Sequence, residues 1–217
     1  MLTPNADWHA WTLSPESSSK TIPARRTVWH PKDWTEFVPV ICSGWAAASI
    51  VLSNGHRQIL SFLLPGDLVS TASLFGPISG RSVEAITEVQ YRKFRRDDIK
   101  VLLRKNQDML DQVSKLMIDE REQADHLAVD LGRRMADERI ARQILYLAKR
   151  LAKRGMMNGQ TMAFPLRHRH IADATGLTIH HVSKVLAAFQ RAGLISIANR
   201  SLTITNVTEL HKVGVWP

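Results

Sequence analysis

A long central helix is the strongest structural signal in this chain of 217 residues. Residues 97–135 contain no proline, and Gly132 is their single glycine. Because both residue types destabilise helix interiors, their near absence predicts an extended helix. The helix separates β-prone runs within residues 27–94 from short helical segments within residues 137–205. We therefore expect an α+β chain with a β-rich N-terminal part and a helical C-terminal part.

Short β-prone runs broken by turn residues fill the region before the helix. The runs are Val38–Ile41, Ala46–Leu52, Gln58–Leu64, Val83–Thr87 and Val89–Phe94. Asn54-Gly55 predicts a tight hairpin turn, because both residues tolerate a positive φ. Regularly spaced strands favour a small antiparallel barrel or sandwich. Residues 1–24 carry three prolines and a serine run, which predict a poorly structured segment.

The central helix carries a heptad pattern. Spacings of three and four join Leu110, Val113, Met117, Glu120, Ala124, Leu127 and Leu131. Such an a/d seam predicts a partner helix, and hence a homodimer. The alternative is an amphipathic helix packed on its own domain. Glu120 interrupts the seam; it either sets the register of the pair or lies off the seam.

Charge is distributed unevenly along the chain. Residues 1–130 hold 15 Lys or Arg against 16 Asp or Glu, whereas residues 131–217 hold 14 against 4. The whole excess of the chain's net charge of +9 thus lies in the C-terminal part. A basic module attached to a neutral one favours nucleic acid as the partner of the basic part, as against a charge that serves only solubility.

Residues 167–205 have the pattern of a winged helix-turn-helix. A short helix, Arg167–Thr175, is followed by the turn residue Gly176 and by a longer helix, Ile179–Arg191. Thr178 is a suitable N-cap for the second helix. Leu194–Ala198 and Ser201–Thr205 then predict a two-stranded wing. In this motif the first turns of the second helix enter the major groove.

These motifs together resemble the Crp/Fnr family of bacterial regulators, most closely its FixK-like branch. The resemblance rests on Gly176 to Lys184 and Gly193-Leu194-Ile195 in the C-terminal part, and on Ser43-Gly44-Trp45, Arg57-Gln58-Ile59 and Phe62 to Asp67 in the N-terminal part. Asp137 to Ala141 resembles the start of the family's DNA-binding domain. The resemblance implies a flexible segment at 1–24, an antiparallel β-roll at 25–105, a dimerisation helix at 106–135 and a winged helix-turn-helix at 136–217.

The resemblance also implies a role for individual residues. His180, Ser183 and Lys184 match positions that contact base edges, whereas backbone contacts are expected of Arg167, His168, Thr178, His181 and Arg200. Two departures from the family pattern bear on specificity: His180 stands where glutamate is common, and Lys184 where arginine is common. Lysine offers a point charge instead of a bidentate fork, so the sequence that is read is left open.

The possible effector pocket is Arg81 and Ser82, at the position that holds the cyclic phosphate in cyclic-AMP-binding members. Ser70-Thr71 and Ala124-Asp125 replace the pairs that contact the ribose and the base, so we expect no cyclic nucleotide. Arg81 could instead pair with a local carboxylate such as Glu84. Activity without an effector, as in the FixK-like branch, is a further alternative.

No cofactor is expected from the sequence. Cys42 is the single cysteine, which excludes an iron–sulfur cluster held by one chain. Haem ligation by His9, His30, His56 or Cys42 is an alternative, as is a redox role for Cys42. No metal site is expected at His168, His170, His180 and His181, because adjacent histidines on a helix point apart.

An enzyme is not expected. A cupin-like metal set would need closely spaced histidines, and His30 and His56 stand alone in the β-rich region. We expect a cytoplasmic activator without a membrane span that contacts DNA, a second copy of itself and RNA polymerase.

Overall fold

The computed structural model describes residues 19–30, 36–76 and 81–214. The chain divides into two compact units, Met1–Asp125 and His126–Pro217. The long helix contributes residues to both units. Among the described residues, no helix is long and apolar enough to span a bilayer.

Two antiparallel sheets form the framework of the first unit. Its strands are β1 (Ser19–Ile22), β2 (Thr27–Trp29), β3 (Phe37–Ser43), β4 (Ala46–Val51), β5 (Arg57–Leu63), β6 (Ser82–Ala85) and β7 (Val89–Arg95). One sheet has the order β1-β7-β3 and the other the order β2-β6-β4-β5. Each of the five β-prone runs coincides with one of the strands β3 to β7, which confirms the predicted β-rich fold.

Alternating side chains of β3 face two separate cores. Ile41 belongs to a cluster shared by the two sheets, with residues such as Trp29, Ala46 and Val83. Val38 and Val40 point the other way, into a cluster with α1 (Arg96–Lys105) and the start of α2 (Gln107–Arg133). Both faces of β3 are therefore buried, and its apolar side chains connect the two cores of the unit.

A short interruption separates α1 from α2. Asn106 has extended backbone angles, and its side-chain oxygen accepts a hydrogen bond from the Met109 amide at 3.0 Å. An asparagine that caps the following turn competes with helix continuation. The continuous helix expected from residue 97 onward is therefore two helices, and the break falls where the predicted β-roll ends.

Two further details of the first unit differ from the sequence expectations. We expected residues 1–24 to be poorly structured, but Ser19–Ile22 forms a strand that pairs with β7. Residues 1–18 lie outside the described residues. The hairpin after β4 has a positive φ at Gly55 but not at Asn54. Asn54 Oδ1 accepts a hydrogen bond from the His56 amide at 3.0 Å, which closes a three-residue loop in place of a two-residue turn.

The second unit combines helices with a small sheet. Its elements after α2 are α3 (Ala136–Lys153), β8 (Met157–Asn158), β9 (Thr161–Ala163), α4 (His168–Thr175), α5 (Ile179–Arg191), β10 (Ile195–Ala198), β11 (Ser201–Ile204) and α6 (Val207–Val213). The sheet order is β10-β11-β9-β8. The wing expected as two strands is thus extended by a second hairpin, whose turn contains Gly159 with a positive φ.

Candidate DNA-binding site

The turn between α4 and α5 is fixed by Gly176. This residue adopts a left-handed conformation, with φ of 66°, which glycine reaches without steric cost. The amides of Gly176 and Leu177 both bond to the Ala172 carbonyl, which closes the end of α4. A Cβ at Gly176 would lie 2.8 Å from Leu131 Cδ2. The turn therefore requires glycine for its backbone angles, whereas the end of the Leu131 side chain would have to shift to admit a Cβ.

The second helix of the motif begins where the sequence predicts. Thr178 is its N-cap, and the Thr178 hydroxyl accepts a hydrogen bond from the His181 amide at 3.2 Å. Val182, Leu186 and Phe189 are buried on one side of α5. Burial of this stripe fixes the rotation of the helix about its axis, and so decides which side chains face solvent.

The three predicted base-contact residues lie on one exposed face of α5. His180, Ser183 and Lys184 are spaced by three and four residues, and all three are exposed. Side chains at these spacings project together from a helix surface. They bring an imidazole, a hydroxyl and an ammonium group to the N-terminal half of the helix, and each of these groups can hydrogen-bond to a base edge.

Ile179 is a residue of this surface to which the sequence assigned no role. Its side chain is 55% exposed, although its spacing of three from Val182 fits the buried stripe. Periodicity alone could not separate it from a core position at the end of the helix. An exposed apolar side chain beside His180 can contact a thymine methyl group.

The predicted backbone-contact residues lie at exposed ends of elements in this unit. Arg167 is the N-cap of α4, and His168 is the first residue of that helix; both are exposed. His181 lies in the first turn of α5 and is also exposed. Arg200 occupies the tip of the wing with φ of 60°. These positions present cationic or hydrogen-bonding groups without burying them.

His170 differs from the neighbouring histidines, because it is buried. Its Nδ1 atom accepts a hydrogen bond from the Arg167 amide at 3.1 Å. This bond stabilises the start of α4. Among the described residues, no group of three or more His, Cys, Asp or Glu side chains has the arrangement of a metal site.

Arg139, on α3, forms hydrogen bonds that hold the first helix of the helix-turn-helix motif. Its Nη1 atom donates to the Thr175 carbonyl at the end of α4 at 3.1 Å, and its Nε atom donates to the Arg134 carbonyl at 2.9 Å. One guanidinium group thus bonds to carbonyls at the end of α4 and in the connection between α2 and α3, which fixes α4 relative to the start of α3.

The predicted dimer seam divides between two faces of α2. Val113 is 1% exposed and packs in the core of its own unit, so its assignment to a dimer interface is wrong. Leu127 and Leu131 are half-buried, whereas Leu110, Met117 and Ala124 are exposed. The heptad spacing alone could not distinguish positions that face a partner helix from positions that face the chain's own sheets.

The Arg81 side chain is paired with the long helix. Its Nη1 atom lies 3.0 Å from Glu120 Oε1. Glu84, the local carboxylate considered from the sequence, instead pairs with Arg57 at 2.6 Å. Glu120 therefore lies off the seam. Ser82, the other residue of the predicted pocket, begins β6 and is half-buried.

Cys42 lacks the features of a reactive thiol. It is half-buried, and burial raises the pKa of its thiol despite the opposing effect of Arg92. A raised pKa lowers the thiolate fraction, and the thiolate is the reactive form. His30 and His56, the described histidines considered for haem, are both exposed; His9 lies outside the described residues.

The fold and this exposed helix face define a DNA-binding regulator with a winged helix-turn-helix and a separate β-rich unit. Residues 138–213 match the model of the Crp-like helix-turn-helix domain, and residues 19–106 match that of the cyclic nucleotide-binding domain. The chain is 32% identical over 193 residues to the nitrogen fixation regulation protein FixK of Bradyrhizobium diazoefficiens, covering 87% of this chain and 78% of that protein. The chain belongs to the Crp/Fnr family of transcription regulators.

Two further likenesses agree with this assignment. The transcriptional activator protein FnrL of Cereibacter sphaeroides is 29% identical over 203 residues, covering 92% of this chain and 81% of that protein. The structure of FixK2 from Bradyrhizobium japonicum superposes with a TM-score of 0.81 at 25% identity, covering 93% of this chain and 98% of that one. The family consists of DNA-binding transcription regulators, so the chain is a regulator and not an enzyme.

Proposed function

We propose that this regulator binds a twofold-symmetric DNA site as a homodimer and reads each half-site with the N-terminal half of α5. The observation that carries the proposal is the exposed group formed by His180, Ser183 and Lys184 on a helix whose opposite face is buried. Ile179 extends this surface with an apolar contact. Direct readout needs such a rigid helix with polar groups free to meet base edges.

Affinity would come chiefly from phosphate contacts. Arg167, His168, Thr178, His181 and Arg200 are the residues that we assign to the DNA backbone. Arg200 lies at the wing tip, while the other four lie at the starts of α4 and α5. The basic balance of residues 131–217 supports this assignment, because neutralised phosphates release counterions and so favour binding.

The exposed column on α2 supports a dimer. Leu110, Met117 and Ala124 repeat at intervals of seven, and Leu110 and Met117 are 38% and 42% exposed. Apolar side chains at this interval form one edge of a coiled-coil seam. A second copy of the chain would bury this column, and half-buried Leu127 and Leu131 could extend the contact.

We further propose that the protein acts in the cytoplasm and activates transcription by contacting RNA polymerase. The likeness to the transcriptional activator FnrL supports activation as against repression. A dimer on DNA offers two copies of each unit for such a contact.

Selection of duplexes from a random library with purified full-length protein, without added effector, tests this function. We expect a palindrome whose half-sites are about one helical turn apart. A parallel selection with Lys184→Ala should recover the same spacing but relax the preference at one base pair in each half-site. Recovery of unrelated sequences by the wild-type protein, with or without cell extract, would contradict the proposal.

A further inference from the structure

Four hydrogen-bond donors of the first unit converge on one carboxylate of α2. Glu120 Oε1 accepts from Ser70 Oγ at 2.9 Å and from Arg81 Nη1 at 3.0 Å. Glu120 Oε2 accepts from the Thr71 amide at 2.9 Å and from Thr71 Oγ1 at 2.5 Å. Each oxygen therefore has two donors, and the partners lie 39 to 50 residues away in sequence.

This donor set is suited to a small oxyanion. A guanidinium group, two hydroxyls and a backbone amide are the groups with which proteins hold carboxylates and phosphates, and bonds to a charged acceptor are stronger than neutral ones. The match to a cyclic nucleotide-binding domain spans Ser70, Thr71 and Arg81. Here the chain itself supplies the anion that these groups hold.

Two of the donor residues, Ser70 and Thr71, are held in place independently of Glu120. Ser70 is 4% exposed and caps the short 3-10 helix Thr71–Leu74, its Oγ atom accepting from the Ala72 amide. Ser73 Oγ donates to the Ser70 carbonyl at 2.6 Å, and Arg96 Nε donates to the Ser73 carbonyl at 2.9 Å. The Ser70 and Thr71 side of the site is thus preorganised by the fold of the first unit.

The carboxylate is kept ionised in this setting. Burial acts to raise the pKa of Glu120, but hydrogen bonds from Thr71, Arg81 and Ser70 outweigh it and lower the pKa. The Glu120 and Arg81 side chains are 32% and 31% exposed, so both charges are partly withdrawn from water. Removal of the carboxylate would leave the Arg81 charge without this partner.

We propose that Glu120 is the built-in ligand of an oxyanion site formed by Ser70, Thr71 and Arg81. The carboxylate links α2 to the 3-10 helix and to Arg81, which directly precedes β6. Without it, a diffusible anion would have to make the same contacts. The site is therefore occupied by a side chain of the protein itself. With Glu120 removed, the same donors accept a carboxylate or phosphate from solution.

Thermal unfolding of the full-length protein tests the site without DNA. Glu120→Ala should lower Tm by about 5 °C, as expected for the removal of charge-assisted hydrogen bonds in a chain of this size. Sodium acetate or inorganic phosphate should restore Tm saturably, whereas chloride at the same ionic strength should not. Glu122→Ala, an exposed glutamate on the same helix, is the matched control and should respond to none of these anions specifically.

Two results would overturn the proposal: an unchanged Tm for Glu120→Ala, or equal stabilisation of wild type and both variants by acetate. If Glu120→Ala fails to fold, Glu120→Gln removes the charge and keeps the size. Its loss of Tm should be smaller in an Arg81→Ala background, where the bonds to Ser70 and Thr71 remain; full additivity of the two losses would contradict the pairing.

A second readout rests on the proposed function. Because α2 also carries the column that we assign to the dimer contact, a displaced α2 should weaken the dimer and with it DNA binding. The DNA affinity of Glu120→Ala should therefore fall by about tenfold, or roughly 1.4 kcal/mol, in chloride and recover in acetate at the same ionic strength. Recovery of Tm without any change in DNA affinity would support the anion site but contradict its link to DNA binding. Failure of the wild-type protein to bind DNA would count against the proposed function. The Tm results would still test the anion site.

Discussion

We assign sequence discrimination most directly to Lys184. Its ammonium group is exposed on α5 and can donate to the acceptors of a guanine edge. Lys184→Ala should lose about 1–3 kcal/mol of discrimination at one base pair of each half-site. Competition binding with single-base variants of the selected duplex measures this loss. Lys153→Ala, also an exposed lysine of the second unit, should leave the base preference unchanged.

Arg167 should behave differently, because we assign it to a phosphate. Arg167→Ala should weaken binding to specific and random duplexes by a similar factor. It should also reduce the slope of log affinity against log salt by roughly 0.9 for each phosphate that is no longer neutralised. Fluorescence anisotropy at several salt concentrations checks both effects. An effect confined to one base pair would instead indicate that Arg167 contacts a base and not a phosphate.

At the scale of elements, we assign the dimer contact to the exposed column of α2. Met117→Asp would place a charge inside the proposed dimer contact, where an unpaired charge is costly to bury. The dimer dissociation constant should rise by about a hundredfold, which corresponds to roughly 2.7 kcal/mol. Sedimentation equilibrium measures the change.

Ile118→Asp is the matched control for that substitution. Ile118 is 57% exposed, but the residues seven before and after it are Asp111 and Asp125, so its column is polar. The variant should remain dimeric. Equal dissociation of both variants, or of neither, would contradict the assigned interface.

Elements built on local rules were predictable from sequence. The bounds of α5, its Thr178 cap and the left-handed Gly176 all follow from capping and turn chemistry within a few residues. Choices that depend on distant partners were not predictable. The seven-residue pattern of α2 contains Val113, which faces its own sheets, and Met117, which faces solvent, and no local signal separates them.

The candidate site shows the same division. His180, Ser183 and Lys184 could be placed on one helix face by their spacing and by the family resemblance. The pairing of Arg81 with Glu120 could not be found, because 39 residues separate the two and Glu84 is nearer in sequence. Contacts of this kind depend on how the first unit closes around α2.

For the molecule as a whole, Glu120 predicts a specific dependence of stability on pH. A carboxylate whose pKa is lowered by folding stabilises the protein above its ordinary pKa, and this contribution is lost as the pH falls through the folded-state value. The stability difference between wild type and Glu120→Gln should therefore be largest near neutral pH. It should shrink below pH of about 4. Thermal unfolding from pH 3 to 7 measures it, and a constant difference would contradict the ionised state of Glu120.

A dimer that reads a symmetric site through α5 should distinguish a complete palindrome from a single half-site. The most direct test compares affinity and stoichiometry on three duplexes at one salt concentration: the selected palindrome, the same duplex with one half-site scrambled, and a random duplex. We expect two chains on the palindrome and an affinity about a thousandfold or more above that for random DNA, with an intermediate value for the single half-site. Equal affinity for all three duplexes would contradict it.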